Sequence, residues 1–449
     1  MSWFAFLDFT NLLDTVYIAV YAFLWLFFFY RYLKIRKSFD AAVFLLFMYT
    51  LYALSSLFLY YDPYYGEDFY ELSPFSFAYL FFMMYLTAKP VLNYDYRKIE
   101  CIEQPNMLIL NVVSMIFIIT SVLALPSIMQ GLTKGIALMM VDESHVQELY
   151  AESSDAADSA GGGINNLRSV IALAFTEIGV MFSFYYLTLN NKKKWTKYIT
   201  CFLFLAVFVS TFGTISIGQR GMMIEMLLLI VATYFLFKNN LSLYINKIIT
   251  RIGLLFISFV FFLFVLMTVN RFGGNDDRSV MSTVFFYSGE ENLVFNKYAF
   301  DNNGIRYGDR TIPLFKRILG FTDVPNNYIE RREKYSELKV NDEVFITHVG
   351  DFLLDYGPLI GTILILVISY KLINLTIVRN GVLRFHQLIL IHASLYLCLI
   401  GGLKLYPFSD VGGNLKLIVY VLLYLVFRID DDIRRLKIIR KKQNCQQNE

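Results

Sequence analysis

The chain has 449 residues, 57% of them hydrophobic and 17% charged, with a net charge of +3 and a clearly positive mean hydropathy. A soluble domain would carry roughly a quarter charged residues, so the deficit calls for a solvent that tolerates apolar surface, the bilayer. So small a net charge gives no electrostatic case for nucleic acid, and four scattered cysteines, Cys101, Cys201, Cys398 and Cys445, without a CxxC pair, argue against a disulfide framework or a zinc site.

Apolar runs that cross a hydrocarbon core of about 30 Å need roughly 20 residues each. In chain order they fall at 9–30, 39–61, 70–88, 106–126, 168–190, 199–217, 221–237, 248–270, 349–371, 383–404 and 411–428. This predicts an all-α polytopic membrane protein of about eleven transmembrane helices. The first run is not preceded by the basic stretch of a cleavable signal, so it stays in the mature chain. The third is the weakest, its purely apolar part reaching only from Phe77 to Ala88. The sixth and seventh are separated only by Gly218, Gln219 and Arg220, which predicts a tight helical hairpin.

Alternate connections are rich in Lys and Arg: Arg31 to Lys37, Lys89 to Lys98, Lys192 to Lys197, Lys238 to Arg251, Lys371 to Arg384, and the tail from Arg428 to Lys442. The opposite short connections carry almost none, and residues 127–167 hold only Lys134. The positive-inside rule puts the basic set in the cytoplasm. An odd number of spans then requires an external amino terminus. The division is residues 1–270 with helices one to eight and a mobile external segment at 127–167, a large external loop at 271–348, helices nine to eleven at 349–428, and a basic cytoplasmic tail at 429–449.

Within 127–167, the small polar stretch 151–163 reads as linker. Its glycines lack the strand before and the Lys-Ser/Thr after that a phosphate cradle needs. The loop 271–348 is large enough to fold, and its amphipathic stretch Met281 to Phe300 suits the membrane surface.

Several residues at or below the external boundary carry chemistry. Arg220 is the basic residue of a minimal external turn, flanked by Gly218 and Gly221. A guanidinium grips phosphate through two parallel hydrogen bonds, although a snorkelling arginine would occupy the same depth. Glu177 lies about ten residues into its helix and Glu225 one turn from the external end. At the depth of Glu177 an ionisable group points to a polar cavity or to a helix-holding hydrogen bond, whereas partial hydration suits Glu225 better. His348, Asp351 and Asp355, at i, i+3 and i+7, form one stripe if helical. An imidazole and two carboxylates at the outer boundary suit proton abstraction or stabilisation of a developing cation. Pro358 should kink or start the helix that follows. Arg271, Arg278, Arg306 and Arg310 share the loop, most as surface charges or ion pairs, one or two as pyrophosphate ligands. Lys404 and Lys416 flank the last external turn and suit an anion or the headgroups equally. Walker, nucleotide-loop, HExxH and nucleophile-elbow patterns are missing, so a cytoplasmic ATP-driven role has no support.

About a dozen spans, one large late external loop and a short basic tail together resemble the oligosaccharide repeat-unit polymerases, the Wzy-type O-antigen polymerases. Two pieces resemble that family more closely: Ser216 to Gly221 at the hairpin, and Gly350 to Gly361 after the loop. The related O-antigen ligases have His-Asn before a Gly-x-x-Gly, whereas Val349 follows His348 here. The resemblance implies a GT-C-like fold in the bacterial inner membrane and glycosyl transfer on its external, periplasmic face, without a cofactor or metal. A growing glycan would pass from polyprenyl pyrophosphate to a hydroxyl of a new lipid-linked repeat unit. Polyprenyl-pyrophosphate-linked oligosaccharides and the lipid bilayer are the implied partners, with a chain-length regulator and a flippase beside them. Arg220, Arg271, Arg278 and Lys404 would meet the pyrophosphate, and His348, Asp351 or Asp355 the acceptor hydroxyl, with Glu177 and Glu225 lining the cavity. The rival expectations are a flippase or transporter of lipid-linked oligosaccharide and a membrane acyltransferase using His386 or His392.

Overall fold

A computed structural model describes residues 9–66, 69–139, 164–189, 194–216, 220–255, 258, 280–340 and 344–447. The chain is an all-α helical membrane protein. Its helices are α1 Phe9–Arg36, α2 Ala41–Tyr60, α3 Pro74–Asn93, α4 Met107–Met139, α5 Ile164–Thr188, α6 Lys194–Ser216 and α7 Arg220–Phe237. They continue with α8, described over 243–255, then α9 Val280–Tyr298, α10 Pro313–Ile318, α11 Tyr328–Lys334, α12 Thr347–Leu375, α13 Phe385–Leu403 and α14 Asp410–Gln447.

Among the described residues, nine helices are long and apolar enough to cross a membrane: α1 to α5, α7, and α12 to α14. The expected third run is a full helix of 20 residues, started by Pro74 in its first turn. The expected sixth run forms α6, packed on α4, α5 and α7. The eighth run and the linker 151–163 lie largely or wholly outside the described residues. Helix α4 runs past Pro126 to Met139, and α14 carries straight on through the basic tail.

Burial sorts the helices by solvent. In its most apolar stretch α1 has 28% of its residues inside, whereas α13 has 89%. Helix α13 is therefore the core, with α2, α3, α5, α7, α9, α12 and α14 around it, and a helix apolar on every side belongs in that place.

The basic connections gather at one end. Arg36, buried at the end of α1, bonds Asp95 at 2.7 Å after α3. Cys101–Ile102 (β1) pairs in parallel with Val382–Leu383 (β2), joining the α3–α4 and α12–α13 connections. Arg435 on α14 reaches Glu103 at 2.9 Å. At the other end, Leu72 N–H donates to Asp14 at 2.9 Å, and Thr347 N–H to the Lys404 carbonyl at 2.9 Å. Among the described residues, the basic and the base-poor connections thus occupy opposite ends of the bundle.

Helix α9 departs from the surface placement expected for 281–300. It lies inside the bundle against α2, because Gly289 sits over the backbone of Ser55 and Ser56, the close approach that small residues allow. Asn292 donates to Ser56 Oγ at 3.0 Å, and Asn296 bonds both the N–H and the carbonyl of Ser73 at 2.7 Å. A β-carbon at Gly289 would lie 2.4 Å from Ser56 N. Gly289→Ala is therefore expected to cost about 1–3 kcal/mol, read as a lower melting temperature in detergent; an unchanged melt would show that α9 can pull away freely.

The rest of the large loop folds into a cap. Asn414 at the start of α14 donates to the Thr311 carbonyl at 2.8 Å, and Arg331 bonds Asp410 at 2.7 Å. Asp309 accepts from Lys334 at 2.9 Å and Tyr335 at 2.7 Å, and also from Lys316. Burial alone would raise the Asp309 carboxyl, but these three donors outweigh it and hold it below its ordinary value. The stabilisation is complete above the unfolded carboxyl's value and is lost as pH falls through the depressed one. The cap should stay closed above roughly pH 4 and loosen below it. Limited proteolysis across 309–339 should accelerate on acidification, whereas a rate independent of acid would remove Asp309 from this role.

Candidate functional site

The end that holds the cap is where most of the singled-out residues meet. Helix α12 begins there, and Gly357 (φ 78°, ψ 163°) ahead of Pro358 breaks it into a short buried segment and a long one. The kink expected at Pro358 is present, with Gly357 supplying the conformation that a side chain would resist. His348, Asp351 and Asp355 share the first segment, and all three are buried.

The two carboxylates are spent on the cap. Arg306, fully buried, donates from Nη2 to Asp351 at 3.0 Å and lies 2.8 Å from Asp355 through Nε. Arg310 approaches Asp351 at 3.3 Å. The second oxygens accept backbone N–H groups, Tyr406 for Asp351 and Thr311 for Asp355, each at 2.7 Å. Of the loop arginines expected as surface charges or ion pairs, Arg306 and Arg310 are counter-ions of the stripe. His348 turns the other way: Nε2 lies 3.0 Å from Thr87 Oγ1, and the ring packs on Gly401, where a β-carbon would come within 2.9 Å of Nδ1. The stripe joins the cap to α3 and α13 and does not gather around one open space.

The open space lies one helix over, between α5, α6, α7, α13 and α14. Two ion pairs border it. Lys404 Nζ, just past α13, is 2.8 Å from Glu225 on α7, and Lys416 Nζ on α14 is 2.6 Å from Glu177 on α5. Tyr396 hydroxyl sits 3.4 Å from Glu177 Oε1 and 3.5 Å from Lys416 Nζ. Glu177, Glu225, Tyr396 and Lys416 line a cavity of about 20 Å³ together with Ser210 and Thr211, room for about one water. Glu177 Oε2 is buried without a hydrogen-bond partner among the described residues. A carboxylate with one oxygen beside an ammonium and the other unpartnered can accept a proton from a hydroxyl that reaches it.

Helix α7 starts at Arg220, and a β-carbon on Gly221 would fall 2.3 Å from Lys404 Nζ. Gly221 is thus what lets the ammonium lie on the first turn of α7, next in chain to Arg220. Lys404 also faces the Phe345 ring at 5.5 Å. Of the expected pyrophosphate ligands, Lys404 and the Arg220 backbone come together, while Arg271 and Arg278 lie outside the described residues.

Sequence reasoning singled out both Lys416 and Glu177 without pairing them, and it missed Tyr396, Glu290 and Glu291. The last two are buried on α9 with no basic partner among the described residues, and Glu291 Oε2 and Tyr52 hydroxyl, both buried, have no hydrogen-bond partner there. Two adjacent acids in an otherwise apolar stretch were the available signal. His386 and His392 are buried in the core helix, with His392 held by Thr233 at 2.9 Å and Tyr420 at 2.8 Å.

Comparison with known proteins finds no matching family model, no curated protein and no solved structure that matches the chain.

Proposed function

We propose that this chain is a membrane glycosyltransferase that polymerises polyprenyl-pyrophosphate-linked oligosaccharide repeat units into a surface polysaccharide such as O-antigen. By the positive-inside rule the basic end of the bundle is cytoplasmic, so the amino terminus and the site face the periplasm of a bacterial inner membrane. The observation that carries the reading is the pairing of Lys404 with Glu225 and Lys416 with Glu177 around one cavity beside the start of α7.

The acceptor hydroxyl oxygen attacks the anomeric carbon of the donor glycan. The bond from that carbon to the pyrophosphate breaks, and its electron pair leaves with the pyrophosphate. A fixed cation is worth most where that charge develops, which suits Lys404 to the leaving group, with Arg220 as its proposed partner. The hydroxyl proton passes to a carboxylate, Glu177 or Glu225, each held ready by its lysine. The Arg306 clasp keeps the cap docked over this end. The donor's own pyrophosphate bond supplies the energy, so no nucleotide is consumed.

Deleting the gene and resolving the surface glycan by size tests the reading. Single repeat units at the surface without a ladder are expected. A complete loss of surface glycan would point to a flippase, and an unchanged ladder would remove the chain from the pathway.

A further inference from the structure

A second, roomier cavity lies at the opposite, basic end of the bundle. It measures about 600 Å³, the size of a small-ligand site, and lies where α1, α3 and α12 end. Its floor is Arg36, which is buried and fully committed: Nη1 to Asp95 at 2.7 Å and Nη2 to the Leu92 carbonyl at 2.6 Å. Two further cations line it, Arg31 and Lys98, both exposed and neither within ion-pair distance of an acid among the described residues. Its walls are aromatic and aliphatic, with Tyr32 and Tyr85 on one side and Ile373 and Ile377 on the other. The β1–β2 pairing brings Gly381 to the rim and holds the α3–α4 connection in place.

We propose that this cavity binds the phosphate headgroup of an anionic phospholipid in the adjacent leaflet. The charge balance favours an anion, because Arg36 is neutralised by Asp95 and Asp40, while Arg31 and Lys98 outnumber the one further acid at the rim, Glu100 beside Gly381. The surroundings favour a lipid over a free phosphate. Helix α3 packs on both α1 and α12, and all three present exposed apolar side chains, Phe27, Phe82 and Val367 among them. Acyl chains can follow these surfaces while the headgroup rests at the membrane boundary between the two cations. None of these residues belongs to the site at the other end, so the assignment is independent of the polymerase reading.

The test is native mass spectrometry of the full-length protein, delipidated in detergent and titrated with phosphatidylglycerol, phosphatidylcholine or inorganic phosphate. One tightly held phosphatidylglycerol per chain is expected, with phosphatidylcholine and inorganic phosphate far weaker. Arg31→Gln with Lys98→Gln should weaken that retention roughly tenfold or more, the size expected for two cations near an anionic surface. Lys247→Gln, at an exposed basic position on α8, should leave it unchanged. A melting temperature equal to the parent's shows that the double variant is folded; should it melt early, Arg31→Lys with Lys98→Arg replaces it and should retain the lipid. Retention unaffected by removing both cations would overturn the assignment. So would inorganic phosphate binding as tightly as the lipid with the same dependence on Arg31 and Lys98, which would make this a soluble-anion site.

Discussion

Replacing Arg306 with alanine is expected to destabilise the protein by about 3–5 kcal/mol, the usual result of breaking a buried ion pair from one side. Arg306 is fully buried and faces Asp351 at 3.0 Å and Asp355 at 2.8 Å. Without it, Arg310, at 3.3 Å from Asp351, is the remaining described cation within ion-pair distance of the two carboxylates. Moving a carboxylate out of water is compensated only by good geometry and further hydrogen bonds, and the single N–H donors from Tyr406 and Thr311 do not replace a guanidinium. The melting temperature in detergent and the protease resistance of the cap should fall together. Adding Asp351→Asn and Asp355→Asn to Arg306→Met should recover part of the loss, since the orphaned charges go with the arginine. A single variant that melts like the parent would show that the clasp carries no net stability.

The second large effect concerns activity. Lys404→Ala should cut polymer formation roughly 10²-fold, the typical cost of removing one fixed group that stabilises developing negative charge. Its ammonium is placed by Glu225 at 2.8 Å and by the bare first turn of α7 at Gly221, while its carbonyl anchors α12 through the Ile346 and Thr347 N–H groups. The substitution keeps that backbone but orphans Glu225, so protein abundance is measured beside the glycan ladder, which should collapse. Pairing it with Glu225→Gln removes the unbalanced acid and should leave the defect in place. Arg220→Lys separates geometry from charge. Undiminished activity there would count against a bidentate grip on pyrophosphate. A full ladder from Lys404→Ala would take Lys404 out of the reaction.

Much of the fold was legible because a span is a local property. Runs of about 20 apolar residues identify themselves, and the alternation of basic connections correctly sorted them onto two ends, as the β1–β2 and Arg36–Asp95 contacts show. The Pro358 break was legible for the same reason. Helix α9 was misplaced because its Gly289 and Asn292 look like surface residues until α2 presents Ser56 to them. The site was legible residue by residue and not as an arrangement. Glu177, Glu225, Lys404 and Lys416 each stood out as charges at apolar depth. Yet nothing local says that Glu225 meets a lysine 179 positions away, or that Asp351 and Asp355 face arginines near 306. Charge partners are chosen by tertiary packing, and i, i+4 spacing does not report them.

The most direct measurement reconstitutes the purified chain in liposomes with polyprenyl-pyrophosphate-linked repeat units and follows both glycan length and released polyprenyl pyrophosphate. The account predicts that longer glycans and free polyprenyl pyrophosphate appear together without nucleotide, and that Lys404→Ala suppresses both. Lipid-linked units that cross the bilayer or stay in place with no new glycosidic bond would contradict it.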